Sequence, residues 1–392
     1  MPRPWPFALR PPLAAACAWL ALAIASAPPL PAQSPDRGAF LNRLGTDTVS
    51  VETWTRTADR LTGDRVVVVP RTELVHYAAT LAPDGRIMSL EFTSRRGDAL
   101  DGPAARSTSV VIGGDSADVT ITVGDSTRRY RMAARPGAVP MVGSTYALYE
   151  QMVRQAAPRA EDSLAVDLIF AGVLNPLPGY VKRLGRDSVA FGYFGNPLLA
   201  RVDGAGRVLG FDGSRTTQKF TITRQPSADI MALARAFAAR ESAAGPAGML
   251  SARDTVQTTI GAAAITIDYG RPRRRGREIF GRVVPFGEVW RTGANAATGF
   301  TTDRDLAIGG AAVPAGSYTL WTLPTPDGAT LIVNRQTGQW GTDYQEAEDL
   351  VRIPMRRRTL AEPVETFTIS VDPSGLLSLQ WDHTVWDIEI KD

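Results

Sequence analysis

Apolar and polar residues alternate in short bursts from Gly38 to Arg224, and Gly, Asp and Pro separate the bursts. A period of two is the mark of half-buried antiparallel strands. The clearest predicted strands are Val66 to Val69, Val75 to Leu81, Ile87 to Phe92, Ser109 to Ile112, Val119 to Val123, Val189 to Phe194 and Phe220 to Thr223. Asp84-Gly85 and Asp203-Gly204 supply turn chemistry between strand pairs. The stretches around them, Leu81 to Phe92 and Arg201 to Phe211, are faintly alike and read as hairpins of one meander. Two helices interrupt the strands. Ser144 to Ala157 places Leu148, Met152 and Val153 on one side, and a second helix is capped by Ser227 and carries Ile230, Leu233, Ala234 and Phe237 at helical spacing.

The alternation stops at Ala243-Ala244-Gly245-Pro246-Ala247-Gly248 and resumes from Met249 to Asp392, which predicts a boundary there. Val256 to Ile260, Ile265 to Tyr269, Tyr318 to Thr322, Leu331 to Val333, Phe367 to Val371, Leu377 to Trp381 and Trp386 to Ile390 all step by two. Asp343 to Val351 reads as a helix of one or two turns. The expected fold is mainly β, with two antiparallel domains. Residues 33–244 form a curved sheet or open barrel with packed helices, residues 245–250 a linker, and residues 251–392 a β-sandwich or jelly-roll. The concave face of the first domain suits an apolar ligand.

A length of 392 residues agrees with two units. Met1 to Ala32 has the plan of a signal peptide: Arg3 and Arg10, then the uncharged apolar stretch Leu13 to Ala27, then prolines and small residues. About fifteen apolar residues fall short of the roughly 20 that a spanning helix needs. Export to the periplasm or the exterior is therefore expected, with no transmembrane segment after signal removal. Cys17 is the only cysteine. Ala14 three residues before it and an apolar stretch mostly after it argue against lipid attachment, so the mature chain carries no thiol. Disulfides, thiolate catalysis and cysteine-held metals are thereby excluded.

Charge adds little to this picture. The whole chain is +3, and removing two arginines and no acid with the signal leaves +1. From Gln33 to Gly245 the net is +4, and from Pro246 onward it is −3. Neither half has a nucleic-acid footprint. Arg273 to Arg275 and Arg356 to Arg358 read as solvated loops.

Catalytic motifs are missing from the sequence. It holds no Gly-x-Ser-x-Gly elbow, His-Glu-x-x-His pair, Walker loop or EF-hand loop. His76 and His383 are its only histidines. Two cannot build a three-histidine metal site, and strand-edge imidazoles are the plainer reading of both. No cofactor or metal is expected, and no catalytic residue is assigned. Asp343, Glu346, Glu348 and Asp349 form a carboxylate cluster, and a glycosidase needs two carboxyls facing a sugar across about 5–10 Å.

The densest stretch is Arg271 to Asn295. It contains Arg271-Pro272, Arg273 to Arg277, Ile279-Phe280-Gly281, Val284-Pro285-Phe286-Gly287 and Val289-Trp290-Arg291-Thr292-Gly293-Ala294-Asn295. Val313-Pro314-Ala315-Gly316, Asn334, Gln339-Trp340-Gly341 and Glu362-Pro363 follow. This series resembles the DUF2911 family of exported bacterial proteins. The resemblance covers roughly residues 250–392 and implies an exported, β-rich module, but no activity. Ala296 stands where the family commonly has Glu, which lowers the prospect of a shared catalytic role.

Trp290, Arg291 and Asn295, joined by Arg277 and Trp340, are the candidate ligand-binding residues. They offer an indole face, guanidinium forks and an amide. The competing structural reading makes Trp290 core, pairs Arg291 with Glu288 or Asp349, and gives Gly293 a turn. It is the default, because ion-pair networks imitate functional sites. The expected function is a non-catalytic binding or interaction module for a small molecule or glycan. One alternative is a carbohydrate or cell-wall hydrolase using the carboxylates of Asp343 to Asp349, and another is a structural envelope protein that pairs by a sheet edge.

Overall fold

The alternation from Asp36 onward folds into a continuous meander. Its first half is β1 (Asp36–Leu44), β2 (Asp47–Arg56), β3 (Arg60–Val67), β4 (Glu73–Leu81), β5 (Ile87–Arg96), β6 (Arg106–Gly113), β7 (Ser116–Val123) and β8 (Ser126–Ala133). After the short β9 (Val139–Met141) comes helix α1 (Tyr146–Ala156). The second half is β10 (Ser163–Phe170), β11 (Leu177–Arg183), β12 (Ser188–Gly192), β13 (Leu198–Val202), β14 (Val208–Asp212) and β15 (Thr221–Gln225). This computed structural model describes residues 35–143, 145–156, 162–193, 197–216 and 218–392. The predicted signal segment with Cys17, and the predicted element ends Ser144, Ala157 and Phe194, lie outside the described residues.

All fifteen strands share one sheet, which runs from β8 down to β1 and then from β15 down to β9. The halves join where β1 pairs antiparallel with β15, from Ala39 opposite Gln225 to Arg43 opposite Thr221. Helix α1 lies against the inner face. Its Tyr146, Leu148, Tyr149 and Met152 share one core with Leu90 of β5, Phe191 of β12 and Phe211 of β14. The concave face proposed for an apolar ligand is thus filled by the protein's own helix.

Two buried carboxylates fix that helix. Glu52 accepts hydrogen bonds from the Tyr146 and Ala147 amides at 2.6 and 3.3 Å and from the Tyr77 hydroxyl at 2.5 Å. It thereby satisfies first-turn N–H groups that the helix cannot bond internally. Glu150 accepts from Arg56, Arg224 and the Val208 amide.

A second helix, α2 (Ile230–Ala244), covers the other face. On β4, Val75, Tyr77 and Ala79 point to the α1 side, whereas Leu74 meets Ile230, Ala234 and Phe237 of α2. The cap of α2 is Asp229, whose carboxylate accepts the Ala232 amide at 2.9 Å, and not the predicted Ser227. A cap must sit directly before the first helical residue, and here that residue is Ile230.

The remaining strands form a separate nine-stranded sheet. They are β16 (Ser251–Ile260), β17 (Ala263–Pro272), β18 (Thr298–Thr302), β19 (Leu306–Ile308), β20 (Ala311–Val313), β21 (Gly316–Pro324), β22 (Ala329–Asn334), β23 (Asp349–Val371) and β24 (Leu376–Lys391). Their order is β16, β17, β18, β21, β22, β23, β24, β19, β20. β23 pairs with β22 through its first third and with β24 through the remainder, so it turns from one layer into the next. The fold is mainly β, in two antiparallel-rich sheets.

Two predicted elements change here. The helix expected over Asp343 to Val351 is a single 3₁₀ turn, Glu346–Glu348, and Asp349 already begins β23. Asn334 causes the difference: its side-chain amide donates to the Gln345 carbonyl and the Asp349 carboxylate, while Asp349 sits opposite it in the ladder. The strands read separately over Leu377 to Trp381 and Trp386 to Ile390 are one strand bent at Asp382, whose φ is +53°.

Pro35 to Asp392 form one compact unit, and the segment between the sheets is tied down. The Gly248 amide donates to the Pro70 carbonyl at 2.9 Å, and Leu250 packs on the α1 core. The arginine run 273–275 is a joint, not a solvated loop. Arg274 pairs with Asp382 at 3.0 Å, Arg275 pairs with Asp47 after β1, and the Thr46 amide donates to the Arg275 carbonyl at 3.1 Å. The run 356–358 is likewise engaged, since Arg358 pairs with Asp387 and Arg357 donates to the Pro326 carbonyl. Among the described residues no helix is long and apolar enough to cross a membrane.

Candidate functional site

The Trp-Arg-Thr-Gly-Ala-Asn run is a folded loop laid on β21 and β17. Trp290 exchanges both backbone hydrogen bonds with Thr322 at 2.8 Å, and its indole N–H closes onto the Gly293 carbonyl at 3.1 Å. Thr292 has φ +52° and Asn295 φ +65°, a region costly for a β-branched residue. Buried hydroxyls hold the strained turn: Thr292 Oγ1 meets Thr322 Oγ1 at 2.7 Å, and Thr298 Oγ1 donates to the Thr292 carbonyl at 2.7 Å. A side chain at Gly270 would lie 2.2 Å from the Ala294 carbonyl, so glycine there lets the loop seat on β17.

This packing aims Arg291 into a cleft of about 880 Å³ bordered by both sheets. Its stem crosses Gly341, and its Nη1 donates to the Gly341 carbonyl at 3.2 Å. Its Nε is buried without a hydrogen-bond partner, and no carboxylate lies within ion-pair distance among the described residues. Burial alone brings its pKa down to about 10. The pairing with Glu288 or Asp349 expected of a purely structural arginine is not formed. Asp349 is held instead by Asn334, Tyr344 and Arg352.

Other cations border the same cleft: Arg215, Lys219, Arg273, Arg277 and Arg282, against the single carboxylate of Glu288 among the described residues. Arg273 and Arg282 are paired with Glu365 and Glu278, each at 3.6 Å. Arg277 donates only to the backbone carbonyls of Arg273 and Arg274, and burial, then Arg275, lowers its pKa. The arrangement is an excess of partly desolvated positive charge beside an aromatic wall, which suits an anion.

The structure brings four of the five predicted residues to this cleft: Arg277, Trp290, Arg291 and Asn295. Trp340 is not among its lining residues; its side chain is 50% exposed, and its backbone bridges Ala296. Trp290 differs from the expected free stacking platform. It stacks on Trp381 at 6.0 Å and meets Phe367 edge-on at 5.1 Å, so it is the rim of the aromatic core. Lys219 also lines the cleft. It arrives from the loop between β14 and β15, about seventy positions before Arg291, and no local pattern marks it.

The carboxylates of Asp343 to Asp349 do not face one another across the cleft. Arg352 binds Glu346 and Asp349 at 2.7 and 2.8 Å, and none of the acids lines the cavity. His76 contacts Asp64 at 2.9 Å and His383 the Leu360 carbonyl at 3.0 Å, both at the surface. Among the described residues no group of three or more His, Cys, Asp or Glu could hold a metal ion.

Fold and site together describe a mainly β protein with a cation-lined cleft. Residues 251–390 match the family described as a protein of unknown function, DUF2911. No curated protein matches the chain. A DUF1089 family protein of Pseudomonas aeruginosa is 15% identical, with a TM-score of 0.32, over 43% of this chain and 92% of its own. A β-barrel-like protein of the DUF1849 family from Brucella abortus is 10% identical, also with a TM-score of 0.32, over 49% of this chain and 95% of its own.

Proposed function

We propose that the protein is exported through its N-terminal segment and acts as a non-catalytic binding module, with boundaries near residues 245–250 between its two parts. The working surface is the cleft around Arg291, and its ligand is a small anionic molecule. One observation carries this reading: a part-buried arginine, with a buried unpartnered N–H, faces a cavity and has no counter-ion among the described residues. Desolvating a guanidinium costs free energy that an anion in the cleft would offset. A hydrolytic reading is less favoured because, among the described residues, Glu288 is the only carboxylate at the cleft.

The test uses the chain from Gln33 onward. Thermal stabilisation is measured against a panel of small carboxylates, phosphate esters and acidic sugars. At least one class should raise the melting temperature, and Arg291→Gln should weaken it by about ten- to a hundredfold, the range for a lost charge-assisted hydrogen bond. A chain that no anion stabilises, or turnover of a glycan lost with Glu288→Gln, would overturn the proposal. N-terminal sequencing of the exported protein checks the cut near Ala32.

A further inference from the structure

Lys219 stands apart among the groups of the cleft. It is one of only three lysines in an arginine-rich chain, and it lies outside the region that matches DUF2911. Its backbone has φ +58°, and its Nζ donates to the Ser214 carbonyl at 2.7 Å. The ammonium is therefore held beside the cavity. Burial, followed by the charge of Arg291, pulls its pKa below the usual lysine range, and Arg277 adds to the effect. Among the described residues it makes no ion pair; the charges of Glu288 and Asp212 oppose the shift, and the Glu288 side chain is exposed.

Beside Arg215 and the acid-paired Arg273 and Arg282, three partly desolvated cations thus border one cavity: Lys219 from the loop before β15, and Arg277 and Arg291 from the segment between β17 and β18. Like charges brought together out of water repel, and each additional one destabilises the unliganded protein. A single negative charge needs one guanidinium and its fork of donors. A third, independently held ammonium adds recognition only if more negative charge enters. A lysine supplies a compact point charge, where an arginine presents a flat fork.

We infer that Lys219 completes the cleft as the second-charge subsite, so that the ligand is a dianion, such as a dicarboxylate or a phosphate monoester, held by both sheets at once. This rests on the cleft being a binding site, and it adds the ligand's charge and the role of the first sheet. One charge of the dianion meets Arg291 and the other meets Lys219, with Arg277 and Asn295 bordering the same cavity.

Calorimetric titration of the chain from Gln33 onward at pH 7.5, with propionate, succinate and methyl phosphate, tests the inference. The wild type should bind at least one dianion more tightly than propionate; which one shows whether the second charge is carboxylate or phosphoryl. Lys219→Met should weaken the dianion about tenfold and propionate less than twofold, while Lys219→Arg keeps most of the preference. The unliganded Lys219→Met protein should melt at the same or a higher temperature, since a repelling charge has gone. If Lys219→Met weakens all three acids alike, or none, Lys219 is no subsite and the inference falls while the anion site stands. A wild type that binds none of the three overturns the dianion inference; if the wider anion panel is also silent, the reading of the site falls with it.

Discussion

Gly341 decides where the charge of Arg291 sits. A Cβ at this position would lie 1.9 Å from Arg291 Cδ and 2.4 Å from the Asn295 carbonyl oxygen, which accepts the Gly341 amide. Both contacts are far below van der Waals distance, and one of them is backbone, so the arginine stem and the loop would have to shift. Gly341→Ala should therefore lower anion affinity tenfold or more without changing a single charge. The overpacking should cost about 1–3 kcal/mol of stability. Calorimetric titration beside a urea melt separates the two effects. Undiminished binding would mean that Arg291 works from another seat.

A second residue-scale consequence concerns Glu52. Burial, the largest influence, pushes its carboxyl up to about 7, against the opposing hydrogen bonds from Tyr77 and Tyr146. In the unfolded chain it titrates near 4.5. Between those values the folded state binds the extra proton, so the contribution is fully present below about 4.5 and is lost as pH rises through about 7. Stability should thus decline from pH 5 to 7.5 by more in the wild type than in Glu52→Gln. Melting temperatures at the two pH values check this, and parallel curves would assign the slope elsewhere.

At the scale of elements, the period of two was readable wherever one strand face is apolar. β4, β5 and β7 have that form, with residues such as Val75, Tyr77 and Ala79 alternating toward the core. β1 and β2 were fainter because their buried positions include Asn42, Ser50 and Glu52. A polar group satisfied by its neighbours is indistinguishable, in sequence, from one that faces water. The same ambiguity hid the helix anchors: Glu150 of α1 is fully buried yet reads as a surface acid. Asp343 to Val351 misled in the opposite direction, since its acids looked like a helix face until Asn334 drew the segment into extended pairing. The Trp290 to Asn295 run located three cleft residues because they are close in sequence, and Arg277 lies only thirteen positions before it. Lys219 was invisible because its place depends on how a distant hairpin loop meets that run.

For the whole molecule, the decisive feature is that the cleft is bordered by two sheets that share no strand. Their relation depends on a few contacts: Asp47 with Arg275, Thr46 with the Arg275 carbonyl, and Gly248 with the Pro70 carbonyl. The Arg275 side chain is only 9% exposed, whereas Asp47 is 45% exposed, so the pair is half screened by water. Gly45 also has no room for a side chain, since a Cβ there would come within 2.2 Å of the Arg275 carbonyl oxygen. The hairpin turn and the arginine run therefore fit each other closely. Arg275→Gln should remove the ion pair and leave the backbone bond from Thr46. The expected cost is about 1.5–2 kcal/mol, the lower part of the range for hydrogen bonds to charged groups. If the sheets unfold as one unit in the wild type, weakening the joint should broaden the calorimetric transition or split it in two. A saturating anion should narrow it again, because a ligand that binds only the assembled cleft stabilises that state by mass action. An unchanged, single transition in Arg275→Gln would place the coupling in the Gly245 to Leu250 segment instead.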